Sequence, residues 1–340
     1  MPDPATRIRE LALAEGFALV GFAPVAPAPD AHRYATFLEE KRHGEMAYLE
    51  RFRDRILDPT KVSPGARTMI CLAVNHARPA GGFRGGGRVA RYALGRDYHA
   101  VVEGMLRRLE RRLRAEGLGT RLRGIVDAGP VLERSHAAHA GLGFLSKSAN
   151  LLHHKYGPWL FLGELLVDLE LEAAPVRAPG SCGTCTLCID RCPTGAITEP
   201  GRVDARICIS YLTIELRGSI PEPLRRPMGE WVFGCDVCSE VCPFGDGAPS
   251  AADRFGTHGA FDLRLEDLLT ITEDEFARTF QGSPLRRTKR AGLARNAAIV
   301  LGNLGRTEAV PLLRRAAERD PAESVAEAAA WALAQFEERR

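Results

Sequence analysis

Eight of the chain's nine cysteines fall between positions 182 and 242: Cys182, Cys185, Cys188, Cys192, Cys208, Cys235, Cys238 and Cys242. A segment so rich in thiols folds around metal or is tied by disulfides. The N-terminus, MPDPATRIRELALAEG, is charged and amphipathic and lacks the apolar core of a secretory signal, so a cytoplasmic location is expected. Thiols there bind metal or react rather than pair. The ninth, Cys71, stands in an apolar run and reads as a small buried hydrophobe.

Spacing narrows the metal. SCGTCTLCIDRCPTGAI is a C-x2-C-x2-C-x3-C-P run, the pattern of bacterial ferredoxins. GCDVCSEVCPFG repeats it without the first cysteine, and Cys208 is the substitute. Eight thiolates suit two [4Fe-4S] clusters, and in two-cluster ferredoxins the fourth cysteine of each run serves the other cluster. Cys182, Cys185, Cys188 and Cys242 are thus expected to hold cluster 1, and Cys192, Cys208, Cys235 and Cys238 cluster 2. Zinc also accepts paired C-x2-C ligands. The proline after each last cysteine and the count of eight favour iron–sulfur clusters.

The remainder is ordinary globular protein: 340 residues, 45% hydrophobic, 26% charged, net charge +3. That excludes a disordered or collagen-like chain. No apolar run is long enough for a membrane span. Two or three domains are expected.

Residues 5–15 and 98–115 have helical periodicity, the second with Val102, Met105, Leu106, Leu109 and Leu113 on one face. ALVGF at 18–22 and TMICLAVN at 68–75 read as strands, and YGPWLFLGELLVDLEL ends a strand–turn–strand. The glycine-rich GGFRGGGRVARY has no phosphate-loop pattern and reads as a flexible surface segment. Helices alternate with strands, so residues 1–175 are expected to form an α/β domain. A ferredoxin-like α+β module over 176–250 follows, then an α-helical HEAT-like repeat over 251–340, with helices at 273–280, 293–304, 308–319 and 323–337. A basic run, Arg286-Arg287-Thr288-Lys289-Arg290 with Arg295, leads into the repeat.

Electrons stored in clusters need a destination, so the α/β domain should hold a second cofactor or a substrate pocket. Asp127 closes an apolar strand just before Gly129-Pro130. Taken alone it suits a turn aspartate as well as a proton donor.

Beyond the cysteine runs, VDAGPVLERSHAAHAGLGFLSKSANLL, YGPWLFLGELL, CISYLTIELRGSIP and FGCDVCSEVCPF occur in one order along the chain. With PGARTMI, GRDYH and RNAAIVLGNLG they resemble the epoxyqueuosine reductase family across essentially the whole chain. That family comprises cobalamin-dependent iron–sulfur enzymes that complete queuosine at the tRNA wobble position. The resemblance implies base-off cobalamin in the N-terminal domain, its cobalt beside cluster 2. It implies Asp127 as the proton donor and a cofactor contact. It also implies contacts to cobalamin from Arg55, Ser146, Lys147, Asn150, Ser210 and Asp236. This chain reads SKSAN where many relatives read GKN or AKN. The implied partners are tRNA bearing epoxyqueuosine, met partly through the basic run and the helical repeat, and a low-potential electron donor. A monomer is expected. A reductive dehalogenase shares the cofactors but usually carries an export signal. A simple electron carrier leaves the first 175 residues without a purpose.

Overall fold

The structure, a computed structural model, describes residues 3–127, 129–171 and 180–338. The boundary expected at 175/176 lies outside the described residues. At the centre is a four-stranded sheet of β1 (Leu19–Pro24), β2 (Thr68–Asn75), β3 (Leu122–Ile125) and β4 (Leu160–Val167), in the order β1-β2-β4-β3. Every neighbouring pair is antiparallel. Helices and strands do alternate, but alternation fixes neither pairing nor direction. The long connections bring the chain back from the opposite end, which makes this layer α+β in the strict sense.

β2 is apolar along its length because both of its faces are covered. Successive side chains point to opposite faces. Ile70, Leu72 and Val74 meet Ile8 and Leu11 of the Pro4–Ala14 helix and Leu106 and Leu109 of the Tyr98–Ala115 helix. Met69, Cys71 and Ala73 meet Ala137, Ala140 and Leu142 in and just beyond the Glu133–His139 helix. Cys71 is fully buried, as its apolar surroundings suggested. Each buried leucine or isoleucine contributes roughly 1.5–3 kcal/mol. Gly21 is required by a close approach: a Cβ there would lie 2.1 Å from the Ala140 carbonyl oxygen.

The glycine-rich 81–92 segment is no loose surface loop. Gly81–Gly82 and Arg88–Val89 pair as a hairpin, and Arg88–Val89 runs parallel to Trp231–Phe233. A Cβ on Gly82 would meet the Gly87 carbonyl oxygen at 2.0 Å, so the glycines let two backbones approach, not wander. Phe83 and Val89 anchor this sheet in the same core as Leu212, Phe233, Leu293 and Ile299.

In the cysteine-bearing region, Leu187–Asp190 and Val237–Glu240 are single helical turns, each set inside a cysteine run. Cys208 directly precedes the Ile209–Ile214 helix. The C-terminal helices Lys289–Leu304, Val310–Arg319 and Glu323–Glu337 form the expected repeat. Gly302 permits close packing, since a Cβ there would be 2.9 Å from Ala332 Cα.

The basic run divides. Arg295 is fully buried and donates to the carbonyls of Leu216 (2.9 Å), Leu212 (2.6 Å) and Gly218, and to Asn296 Oδ1. Arg290 is buried against Asp320 at 2.7 Å. The run therefore serves two ends: Arg286, Arg287 and Lys289 are exposed, whereas Arg290 ties two helices of the repeat together and Arg295 fastens the repeat to the 212–218 segment. Replacing Arg295 with leucine strands several buried carbonyls. Each loses roughly 1–3 kcal/mol, so thermal denaturation of R295L should show a destabilisation of ~3 kcal/mol or more. An unchanged melting temperature would contradict that role.

Candidate functional site

A cleft of about 1030 Å³ lies between the central sheet and the cysteine-bearing region. Asp97, Tyr98, His99, Asp127 and Glu133 line one part of it; Cys192, Cys208, Cys235 and Cys238 line another. Cys182, Cys185, Cys188 and Cys242 do not line it. The thiols also fall into two electrostatic neighbourhoods. Cys208 interacts with Cys192, and Cys235 and Cys238 with Cys208. Cys242 interacts with Cys182 and Cys185, and Cys188 with Cys182 and Cys242. Cys238 also interacts with Cys188, so the two sets of thiols lie close to each other. Burial pushes the Cys238 thiol up to about 12. A protein wall alone thus disfavours the thiolate there, and a bound iron–sulfur cluster would supply the positive charge that it requires.

Asp127 follows the end of β3 in a left-handed backbone conformation, φ 47°. Its carboxylate opens into the cleft and is 48% exposed. Asp97 caps the Tyr98–Ala115 helix by accepting the His99 N–H at 3.1 Å and also meets His99 Nδ1 at 2.8 Å. That contact aims His99 Nε2 at Asp127 Oδ2, 3.0 Å away. Desolvation lowers the His99 pKa, but the hydrogen bonds and charges of Asp127 and Asp97 outweigh it and bring the value to about 9. Desolvation likewise opposes ionisation of Asp127, yet His99, the Tyr98 hydroxyl and Arg287 together hold its carboxyl below the usual range. At neutral pH the proton of this pair therefore rests on His99, donated from Nε2 toward Asp127.

Aromatic rings fix the assembly. Tyr98 lies against Phe161 with ring centroids 4.3 Å apart and against His99 at 4.1 Å. The Arg91 guanidinium covers Trp159 at 4.5 Å. Arg287 is held at the cleft by Glu215 at 2.5 Å and by the Tyr48 hydroxyl at 3.4 Å.

The other expected cofactor contacts are distributed unevenly. Asn150 and Ser210 line the cleft, and the Asn150 amide lies 3.9 Å from Cys238 Sγ. Asp236 also lines it, accepting the Arg91 N–H at 2.7 Å, with burial pushing its carboxyl up to about 6. Ser146 is buried beneath this turn, where its hydroxyl meets Ser148 at 2.9 Å. Lys147 turns away: its Nζ donates to the Gly183 carbonyl at 2.8 Å and its N–H to Cys182 Sγ at 3.4 Å. Arg55 is exposed in the Arg53–Leu57 helix and lies outside the cleft lining. His99 and Asp97 were missed as functional residues. Their signal was the Asp-Tyr-His triplet that opens the Tyr98–Ala115 helix, part of the GRDYH segment shared with the family.

A family model described as a 4Fe-4S double cluster binding domain matches residues 181–245, which sets zinc aside. One described as "Epoxyqueuosine reductase QueG, DUF1730" matches 57–128, and one for HEAT repeats matches 285–340. Epoxyqueuosine reductase from Xanthomonas campestris is 39% identical over 348 residues, covering 98% of this chain and 97% of that one. The chain belongs to the epoxyqueuosine reductase family. The solved epoxyqueuosine reductase of Streptococcus thermophilus superposes with a TM-score of 0.88 at 25% identity, covering 98% of this chain and 90% of that one. A further epoxyqueuosine reductase, solved with an epoxyqueuosine-modified tRNA-Tyr stem loop, has a TM-score of 0.84 at 27% identity, covering 97% of this chain and 89% of that one.

Two measurements test the site. If Cys208 belongs to the second quartet, anaerobically reconstituted C208A should carry about four irons instead of about eight; a full complement would remove Cys208 from the ligands. His99 carries a raised pKa, so the stability it contributes is fully present below about 6.5 and lost as pH rises through about 9. H99Q should therefore lose less thermal stability than the parent over that interval. Parallel losses in the two proteins would contradict the ion pair.

Proposed function

We propose that this chain reduces epoxyqueuosine to queuosine at the wobble position of tRNA, with cobalamin in the cleft and electrons delivered through two [4Fe-4S] clusters. The observation that carries the reading is the cleft itself, which sets the Asp127–His99 pair and the thiols of one quartet around a single space. Residues 1–175 would hold cobalamin, 176–250 the clusters, and 251–340 the helical repeat. Asn150, Ser210 and Asp236, which line the cleft, would contact the corrinoid, and Ser146 supports Asn150 by accepting its backbone N–H. Lys147 and Arg55 are weaker choices on their contacts. Cobalamin would supply low-valent cobalt to reduce the carbon–oxygen bonds, fed one electron at a time by the clusters.

The remaining chemistry belongs to the chain. Reducing an epoxide to an alkene takes two electrons and two protons and releases the oxygen as water. The departing oxygen needs a proton, and the Asp127–His99 pair holds one at the edge of the cleft. Asp127 is the group facing the open space; His99 stores the proton, and Asp97 fixes the ring. The wobble nucleotide must leave its stack to reach so deep a pocket. Arg286 and Arg287 at the rim, with Lys289 nearby, offer cationic groups for the anticodon phosphates.

The test is a turnover assay. The protein is reconstituted anaerobically and given a chemical reductant and tRNA carrying epoxyqueuosine, with cobalamin present or omitted. Mass spectrometry of the nucleosides should show loss of one oxygen only when cobalamin is present. D127A should lose at least on the order of 10²-fold in turnover while keeping its cobalamin and iron. Cobalamin-independent conversion would overturn the cofactor assignment, and full activity in D127A would remove Asp127 from the chemistry.

A further inference from the structure

Behind Asp127 lie two more carboxyl groups that the reaction as described does not use. Glu164 sits mid-strand in β4, opposite Cys71 of β2 and Ile125 of β3, and is completely buried. Neither of its carboxyl oxygens meets a hydrogen-bond donor among the described residues. An ionised carboxylate without a partner is among the most unfavourable groups to bury. The carboxyl that acts on Glu164 most strongly is that of Glu133, at the start of the Glu133–His139 helix, which packs against β4. Two carboxyls can face each other in this way only by sharing a proton.

Glu133 is engaged on its other side as well. Its Oε1 accepts the backbone N–H of Asp127 at 2.5 Å. That N–H belongs to a residue with φ 47°, a conformation that non-glycine residues adopt rarely and at some expense in energy. A hydrogen bond to a charged acceptor is roughly twice as strong as a neutral one, which suits it to hold a strained turn.

We propose that Glu164 carries a proton and donates it to Glu133, and that Glu133 in turn clasps the Asp127 N–H, so that the two are positioning residues holding the Asp127 turn against the cleft. The inference rests on the role assigned to Asp127 above. The surroundings agree with it. Burial and the charge of Asp127 raise the Glu133 carboxyl, but the Asp127 N–H, Glu164 and Arg134 act in the other direction, so Glu133 is raised less than Glu164 and is the one left ionised. Burial, then Glu133, pushes Glu164 well above the usual carboxylate range. Cys71, the other titratable group beside the pair, is kept a neutral thiol by its own burial. Apolar Ile125, Val131 and Leu162 pack in the core on this face of the sheet and offer no competing donor.

The test compares E164Q, which keeps a donor toward Glu133, with E164L, which removes it. E133A, at a less buried position, serves if E164L does not fold. Two readouts are taken on holoenzyme: steady-state kinetics with modified tRNA, and amide hydrogen exchange of the peptide spanning Asp127. E164L and E133A should lose kcat by on the order of 10²-fold with KM for tRNA unchanged, and exchange at the Asp127 peptide should speed up. E164Q should retain most of kcat and the slow exchange. Parent-like exchange in both E164L and E133A, or loss in E164Q equal to that in E164L, would overturn the proposal. The exchange readout decides the clasp independently of turnover, so a failure of the role given to Asp127 is seen separately, in D127A.

Discussion

The contact between His99 and Asp127 is the interaction on which the site depends. It joins a helix N-terminus to the turn that follows β3, and each partner is held by something else: His99 by Asp97 and the Tyr98 ring, Asp127 by the Glu133 carboxyl. An imidazolium and a carboxylate at this distance keep a proton available at neutral pH without leaving either charge isolated. Across the cleft stand four thiols, and burial disfavours ionisation of three of them, Cys208, Cys235 and Cys238. The fold thus brings a proton store and the Cys192, Cys208, Cys235 and Cys238 side chains to the same space.

The rest of the molecule serves that placement. Helices on both faces of the antiparallel sheet fix β3, just beyond whose end Asp127 lies, and β4, which carries Glu164 at its middle. The glycine-rich hairpin carries Arg91, whose backbone holds Asp236 and whose guanidinium covers Trp159. The helical repeat is fastened to the segment after Cys208 by Arg295 and Asn296, which bond the carbonyls of residues 212, 213, 216 and 218. The repeat and the cysteine-bearing region therefore share one core, and the basic groups beside the cleft are set by that joint.

Features with strong local periodicity or fixed spacing were legible in the sequence. The double-cluster cysteine region, the 98–115 helix and β2 needed only spacing or burial pattern, because thiolate clusters and two-sided burial impose both. Sheet direction was not legible, since long connections allow either. The glycine-rich 81–92 segment was misread because glycine marks flexibility and close backbone approach with the same letters. In the basic run, Arg290 and Arg295 look like Arg286 and Arg287 until the packing partners Asp320 and the 212–218 carbonyls are in place. Asp127 stood out only through family resemblance, and His99 only once the fold set it 3.0 Å from Asp127.

The central claim is that one cleft receives the corrinoid between the Asp127–His99 pair and the Cys192, Cys208, Cys235 and Cys238 quartet. An anaerobic crystal structure of the reconstituted protein soaked with cobalamin tests it most directly. The account predicts the corrin ring in this cleft, with one face toward Asp127 and the nearer cluster held by that quartet. A corrin bound elsewhere, or a nearer cluster ligated by Cys182, Cys185, Cys188 and Cys242, would contradict it.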